Sequence, residues 1–300
     1  MLYLGLVKNK EDFILEDEEN FPYFIKNILY FFRKITGQLI QFDIDGKKII
    51  LISKFNKKTI RKIDKIFRTD VTKNICICEQ LAENQKFLEY IKEKNLNIMN
   101  GKWLFKFLIC DIAEYICQKL YLIPEKQEIS LLIDEPSILA FETIKRLSSK
   151  FRNINIVTNK LRKFDKIEKE LQEESGMILN VTNNFKSSCL KSKIIFNFDF
   201  DEKNVNKIRF LPDSVIVNLE NNIEIKQSNF KGRNVDFYSV NLPQKYKKIY
   251  RKLNDFNSSI LYESFIYKRT SNQNIWNEIK KDNIDIIILE NKNKVVNFAN

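Results

Sequence analysis

The chain has 300 residues, with 51 Lys and Arg against 39 Asp and Glu, so its formal net charge is +12. A hydrophobic fraction of 44% supplies a sizeable core and excludes a wholly disordered chain. The sequence has no histidine, which excludes Ser-His-Asp and Cys-His nucleophile systems, so catalysis would require Lys, Tyr, Asp, Glu, a metal or a cofactor.

The cysteines and the apolar stretches indicate a cytoplasmic protein. No Cys-x-x-Cys pair accompanies the five cysteines, so we expect buried reduced thiols and no metal site. The stretch 1–7 has no basic region ahead of it, unlike a signal peptide. The most apolar stretch, 103–123, contains two lysines and two acidic residues, each costing at least ~2.5 kcal/mol at a bilayer centre. It therefore predicts a core-facing helix.

The first hundred residues mix predicted helices and strands. Asp45-Gly46 is a strong hairpin signal between two apolar runs. The predicted elements are a helix over 21–35, hairpin strands over 39–44 and 48–53, a basic helix over 56–68, a strand over 74–78 and a helix over 80–94. We expect an amino-terminal domain of mixed α+β type over 1–100.

The pattern becomes regular after a long apolar stripe that predicts a helix over 101–122. Short β-branched runs then alternate with helical segments, which indicates βαβ units and a mainly parallel sheet within 101–225. The predicted elements are strands over 129–133, 154–158, 177–182, 193–198 and 214–219, and helices over 137–151 and 164–174. We expect a mostly helical closing segment over 226–300, with helices at 243–253, 258–267 and 272–282 and a strand at 284–289.

Several segments of this region follow a known pattern. The helix 101–122 leads into the first strand, and the later segments are IVTNKLRKF from Ile156, SSCLKSKIIFNFDF from Ser187 and LPDSVIVNLE from Leu211. In these features residues 128–219 resemble the Rossmann-type domain of dehydrogenases such as glutamyl-tRNA reductase and shikimate dehydrogenase. The resemblance implies an α/β fold with a Rossmann-like, mainly parallel sheet and a dinucleotide crevice beyond the carboxyl ends of its strands.

Polar residues follow the predicted strands where such a crevice would lie, although any strand that ends in solvent looks the same. The first turn, Asp134-Glu135-Pro136-Ser137, has no glycine. Its carboxylates oppose a pyrophosphate, and its residues suit an ordinary helix start. The second turn has basic residues where NAD-binding domains have an acidic one, so a bound dinucleotide would be NADP. The candidate cofactor-binding residues are Ser137, Asn159, Lys160, Arg162, Lys163, Thr182, Asn183 and Asn197.

Three functions stay open at this point. The first is a degenerate Rossmann-like protein that binds a small molecule or a protein partner without catalysis. The second is an NADP-dependent oxidoreductase with a glycine-free phosphate loop. The third is a polyanion-binding module that uses the basic helices 56–68 and 244–252, where Tyr246 and Tyr250 either stack on bases or pack in the core. The net charge favours polyanions or an anionic membrane surface, but a well-solvated surface explains it better, because the charge is spread over the whole chain.

Overall fold

The computed structural model describes residues 2–6, 20–36, 39–44, 47–52, 55–69, 74–151, 153–176, 179–187, 189, 191–246, 250, 253, 256–267 and 274–298. They form two compact units. Unit 1 comprises 1–100 and 242–273, and unit 2 comprises 101–241 and 274–300. The predicted Asp45-Gly46 turn and most of the predicted helix 243–253 lie outside the described residues.

Unit 1 is a mixed sheet with helices. Its five strands have the order β2-β3-β1-β4-β5, in which only β2 runs antiparallel to its neighbour. The strands are β1 Leu2–Leu6, β2 Leu39–Ile44, β3 Lys47–Ile52, β4 Asn74–Ile77 and β5 Asn97–Ile98. The helices are α1 Tyr23–Thr36, α2 Lys57–Thr69, α3 Glu79–Ala82, α4 Gln85–Glu93 and, from the later segment, Ser258–Ile266. The single helix predicted over 80–94 is therefore two helices, because Asn84 caps a new helix by accepting a hydrogen bond from the Phe87 amide.

The first strand of unit 1 was not predicted, and it forms the centre of the sheet. Tyr3 is fully buried, and its hydroxyl lies 2.9 Å from the Ser264 hydroxyl. Its ring packs against Phe256 and Phe265. The later segment of the chain thus completes the core of unit 1.

Unit 2 is built on a six-stranded sheet in which every neighbouring pair is parallel. The strands are β6 Glu128–Leu132, β7 Asn153–Val157, β8 Asn180–Thr182, β9 Ile194–Asn197, β10 Val215–Asn218 and β11 Arg233–Val235. Their order, β8-β7-β6-β9-β10-β11, becomes 3-2-1-4-5-6 when they are numbered within the unit. That is the doubly wound order of Rossmann folds. The fold is therefore α/β and Rossmann-like, as the sequence predicted.

The helices of unit 2 lie between and after these strands. They are α5 Lys102–Phe107, α6 Ile109–Lys119, α7 Ile138–Ser148, α8 Asp165–Ser175, α9 Glu202–Val205 and α11 Ile275–Lys281. The helix Ser258–Ile266 of unit 1 is α10. The helix predicted over 101–122 is divided at Leu108, whose backbone is not helical (φ −94°, ψ 10°). An antiparallel sheet of β12 Phe237–Val240, β13 Ile286–Asn291 and β14 Lys294–Val295 was not anticipated in a closing segment expected to be mostly helical.

Packing on the main sheet explains why its central strands are buried. On one side α6 contacts both α7 and β9. A cluster of buried residues in unit 2 includes Leu132, Ile195 and Phe200. Because apolar layers cover the strands, β9 and β10 are buried throughout their length. The polar residues that end these strands therefore lie at a buried edge of the sheet.

Candidate functional site

The strand order of unit 2 reverses between β6 and β9. Doubly wound sheets bind their ligands beyond the carboxyl ends of the strands at such a point. The turn 134–137 follows β6 on this edge, and Asp199 follows β9. The second turn, 158–163, follows the neighbouring strand β7. The residues singled out in the first two turns therefore meet at the expected edge of the sheet.

Asp199 occupies the backbone donors of the first turn. Its Oδ1 accepts a hydrogen bond from the Asp134 N–H at 2.8 Å, and its Oδ2 accepts one from the Glu135 N–H at 2.8 Å. Backbone N–H groups at this turn are the groups that bind phosphate in dinucleotide-binding folds. A carboxylate of the protein itself therefore holds the two donors that a pyrophosphate would need.

The surroundings of Asp199 also affect its ionisation. Burial raises the pKa of the Asp199 carboxyl, and the nearby carboxylates of Asp134 and Glu220 raise it further. The two backbone N–H groups act in the opposite direction and lower it, but the net shift is upward. Desolvation and repulsion thus outweigh the hydrogen bonds. The Asp199 carboxylate is held in place at an electrostatic cost.

Asp134 joins the first turn to the second. Its carboxylate accepts hydrogen bonds from the backbone N–H of Asn159 at 2.6 Å and from the Asn159 side-chain amide at 2.8 Å. The Thr158 hydroxyl donates a third hydrogen bond at 3.2 Å. Asn159 was predicted to contact a cofactor, and in this structure its side chain and its backbone N–H both bind Asp134.

Glu135 binds two of the basic residues predicted to contact a 2′-phosphate. It forms ion pairs with the ammonium groups of Lys160 and Lys163. The hydrogen bond from Lys160, followed by that from Lys163, lowers the pKa of Glu135 to about 2. All three side chains are exposed, so solvent screens these pairs and their effect on stability is small. Their effect on recognition is larger, because they reduce the positive charge that this turn offers to an anion.

The remaining predicted residues lie at the same edge with separate roles. Ser137 caps α7, since its hydroxyl accepts a hydrogen bond from the Ala140 N–H at 3.1 Å. The Thr182 hydroxyl accepts one from the Asn184 N–H at 3.1 Å. Arg162 and Asn183 are exposed.

Asn197 belongs to a row of three asparagines, with the buried Asn218 at the end of β10 and the half-buried Asn234 within β11. Its amide nitrogen donates to the Asn218 side chain at 3.0 Å and to the Phe200 carbonyl at 3.1 Å, while its Oδ1 accepts from the Phe200 N–H at 2.9 Å. The Asn218 amide in turn donates to Asn234 at 2.6 Å. The structure places Asn197 at the predicted edge, where its amide fixes the turn that carries Asp199.

Sequence reasoning missed a lysine beside this row. Lys102, in the first turn of α5, donates hydrogen bonds to the backbone carbonyls of Asn218 and Asp236. Burial lowers the pKa of Lys102, although the Asp236 and Glu220 carboxylates raise it in part. The next turn of the helix carries Lys106, which forms an ion pair with Glu220. The lysine spacing of one helical turn was the only signal in the sequence, and nothing there indicated the strands that these lysines meet.

Neither a metal-binding cluster nor a membrane-spanning helix is found among the described residues. In these ranges no three Cys, Asp or Glu side chains form a group suited to a metal ion. Among the helices that the structure describes, none is both long enough and apolar enough to cross a bilayer.

No model of a protein family matches the chain, and no curated protein matches its sequence. Solved structures with some similarity include L-tryptophan dehydrogenase from Nostoc punctiforme, at 11% identity and a TM-score of 0.36 over 94% of this chain and 79% of that one. Ornithine transcarbamoylase from Giardia lamblia matches at 8% identity and a TM-score of 0.34, over 90% of this chain and 86% of that one. D-mandelate dehydrogenase from Rhodotorula graminis matches at 11% identity and a TM-score of 0.29, over 52% of this chain and 53% of its own length. Similarity at this level establishes no shared activity. The Rossmann-like fold assignment rests on the strand order of unit 2.

Proposed function

We propose that this protein is a non-catalytic Rossmann-like binding protein, whose dinucleotide crevice is closed by its own carboxylates and whose ligand is a protein partner or a small molecule. One observation carries the proposal. The Asp199 carboxylate accepts hydrogen bonds from both backbone N–H groups of the first turn, at 2.8 Å each. It stands in for the phosphate oxygens that this turn binds in dinucleotide-dependent relatives of the fold.

Electrostatics support the same conclusion. A pyrophosphate at this turn would lie beside the carboxylates of Asp134, Glu135 and Asp199. Like charges about 4 Å apart repel by roughly 1 kcal/mol in water and roughly 4 kcal/mol near a protein surface. Binding would also have to displace Asp199 and leave its carboxylate with fewer hydrogen bonds. Each of these steps weakens the affinity for a dinucleotide.

A second function, that of an NADP-dependent oxidoreductase, is supported by a different observation. Lys160, Arg162 and Lys163 all lie in the turn after β7, where an NADP-binding domain holds the 2′-phosphate. In this alternative, NADP(H) displaces Glu135 from the two lysines and moves Asp199 away from the first turn. The half-buried Lys102, which donates to the backbone carbonyl of Asn218 at the end of β10, would then be a candidate for proton transfer, since its pKa is lowered.

Thermal unfolding with NADPH, NADP, NADH and NAD separates the two functions. A ligand at 100 times its dissociation constant stabilises the native state by about 2.7 kcal/mol, which the melting temperature reports readily. The proposed function predicts no shift with any of the four dinucleotides. A shift selective for the NADP pair would support the oxidoreductase and contradict the proposal.

A matched pair of variants shows whether any shift arises at the predicted turn. Lys163→Glu reverses a charge that contacts Glu135, whereas Lys169→Glu reverses an exposed charge on α8. A genuine 2′-phosphate site loses NADPH binding in the first variant and keeps it in the second. Equal losses in both would indicate nonspecific attraction of the dinucleotide by a basic protein.

A further inference from the structure

Helix α1 of unit 1 turns its apolar side to solvent. Its stripe recurs at three- and four-residue spacing, as on one face of a helix. Five of its large side chains are 60% exposed or more: Tyr23 74%, Phe24 72%, Phe31 60%, Phe32 61% and Ile35 60%. Arg33, on the opposite side of the helix, is only 7% exposed. Packing in the core of unit 1 therefore does not account for the apolar stripe.

The exposed patch is large for a single helix. Aromatic side chains bury roughly 150–250 Å² each when covered, so the five residues expose on the order of 600 Å². This is the upper end of the largest apolar patch on a typical monomer, and patches of that size mark interaction surfaces. The helix has 14 residues and is therefore about 21 Å long. Phe31 and Phe32 meet edge to face at 6.3 Å, which makes part of the patch a continuous aromatic surface.

A basic helix lies beside this patch. The Lys62 ammonium of α2 donates a hydrogen bond to the backbone carbonyl of Thr36, the last residue of α1, at 3.3 Å. Lys58, Arg61 and Lys65 of the same helix are exposed. Asp64, the one acidic residue of α2, is paired with Lys94 at 2.7 Å. The surface next to the carboxyl end of α1 is thus positively charged.

We infer that α1 lies on the surface of a bilayer containing anionic phospholipids, with its aromatic face at the boundary of headgroups and acyl chains and the cations of α2 on the lipid phosphates. An exposed aromatic stripe flanked by Lys and Arg is the chemistry that such a surface binds. A second copy of this chain fits less well, because a symmetric contact would bring two basic helices towards each other. A nucleic acid would use the cations but would leave Ile35 and the apolar stripe uncovered.

Co-sedimentation of the full chain with vesicles tests this inference. One set contains phosphatidylcholine alone, and the other contains phosphatidylcholine mixed with phosphatidylserine. We expect binding to the mixed vesicles that weakens with added salt, and much weaker binding to phosphatidylcholine. Absence of binding to the mixed vesicles overturns the inference.

Substitution of the aromatic face should remove the binding. The triple variant Phe24→Ser, Phe31→Ser and Phe32→Ser should lower the partition onto mixed vesicles at least a hundredfold, given the apolar area lost. The matched control is Ile138→Ser with Tyr121→Ser, two apolar residues of unit 2 that are 80% and 95% exposed. The inference is overturned if the control loses as much binding as the triple variant, or if the triple variant keeps its binding.

Substitution of the basic residues supplies an independent test that does not alter the apolar face. Lys58→Gln with Arg61→Gln should weaken binding to mixed vesicles about 25-fold, at about fivefold per cation, and should leave binding to phosphatidylcholine unchanged. Lys166→Gln with Lys169→Gln changes the net charge equally on α8 and should leave both unchanged. If the wild type instead sediments as a dimer that the triple serine variant dissociates, a second copy covers the face and the inference is overturned.

Discussion

Asp199→Ala tests the role of Asp199 in the first turn of unit 2. The substitution removes the acceptor of the Asp134 and Glu135 N–H groups. Hydrogen bonds to a charged group contribute about 1.5–3 kcal/mol each. The relief of burial and of repulsion by Asp134 and Glu220, which raise the pKa of Asp199, offsets part of this. We therefore expect a net loss of about 1–3 kcal/mol in the free energy of unfolding.

Tryptophan fluorescence during urea unfolding measures this loss in unit 2 alone, because both tryptophans, Trp103 and Trp276, belong to it. A denaturant slope of roughly 2 kcal/mol per molar urea converts the loss to a midpoint shift of about 0.5–1.5 M. Inorganic phosphate should then restore part of the stability of the alanine variant, because the two N–H groups would be open to another anion.

The matched control for this experiment is Asp213→Ala. Asp213 is an exposed carboxylate that pairs with Lys193, so its removal changes the charge equally without leaving those backbone donors unpaired. Phosphate stabilises most proteins by exclusion from their surface, and that general effect should be equal in the two variants. The reasoning fails if Asp199→Ala is no less stable than Asp213→Ala, or if phosphate stabilises both to the same extent.

Three further predictions concern the same edge of the sheet. Asn197→Ala leaves the Phe200 N–H and the Asn218 side-chain carbonyl without their buried partner, so urea unfolding should show that the free energy of unfolding falls by about 2–5 kcal/mol. A fall below about 1 kcal/mol would contradict these buried hydrogen bonds. Because the pKa of Asp199 is raised, the native state keeps this proton to higher pH than the unfolded state does, so the free energy of unfolding should fall as pH rises from about 3.8 through the folded pKa. Asp199→Asn should remove this pH-dependent component, and an unchanged pH profile in that variant would contradict the raised pKa. Glu135 should have the opposite effect on the pH dependence of stability. Because its pKa is lowered, its contribution to the free energy of unfolding is present above its ordinary pKa of 4.5 and is lost as pH falls towards about 2. Glu135→Gln should remove a small, salt-sensitive component of this dependence, and a component that high salt leaves intact would contradict the exposed ion pairs.

The sequence predicted strands β6 to β10 of unit 2 because their signals are local, whereas β11 lies in the segment that was expected to be mostly helical. Alternating β-branched strands and helices from Glu128 onward dictate a parallel sheet, and Ser137 had the residue type and position of a helix cap. Division of the helices was harder to predict. Leu108 interrupts α5 and α6 without a proline or a glycine, since only the packing of unit 2 distinguishes the two segments.

The closure of the crevice could not be predicted, because it depends on contacts between residues far apart in sequence. Asp199 lies 65 residues from Asp134 and 64 from Glu135. The sequence indicated that both carboxylates follow strands of one sheet, but not that one would accept hydrogen bonds from the turn that carries the other. The basic turn was identified correctly as a group of cations, whereas its pairing with Glu135 required the relative positions of two loops. The outward face of α1 was hidden for a related reason, since its spacing is that of an ordinary core helix.

Amide hydrogen exchange at Asp134 and Glu135 tests the central claim most directly. The claim is that the Asp199 carboxylate occupies these two N–H groups in the native protein. It predicts that both amides are protected in the wild type, that Asp199→Ala removes the protection while Asp213→Ala retains it, and that NADPH changes neither amide. Unprotected amides in the wild type, or protection that appears only when NADPH is added, would show that the turn is open and would contradict the account.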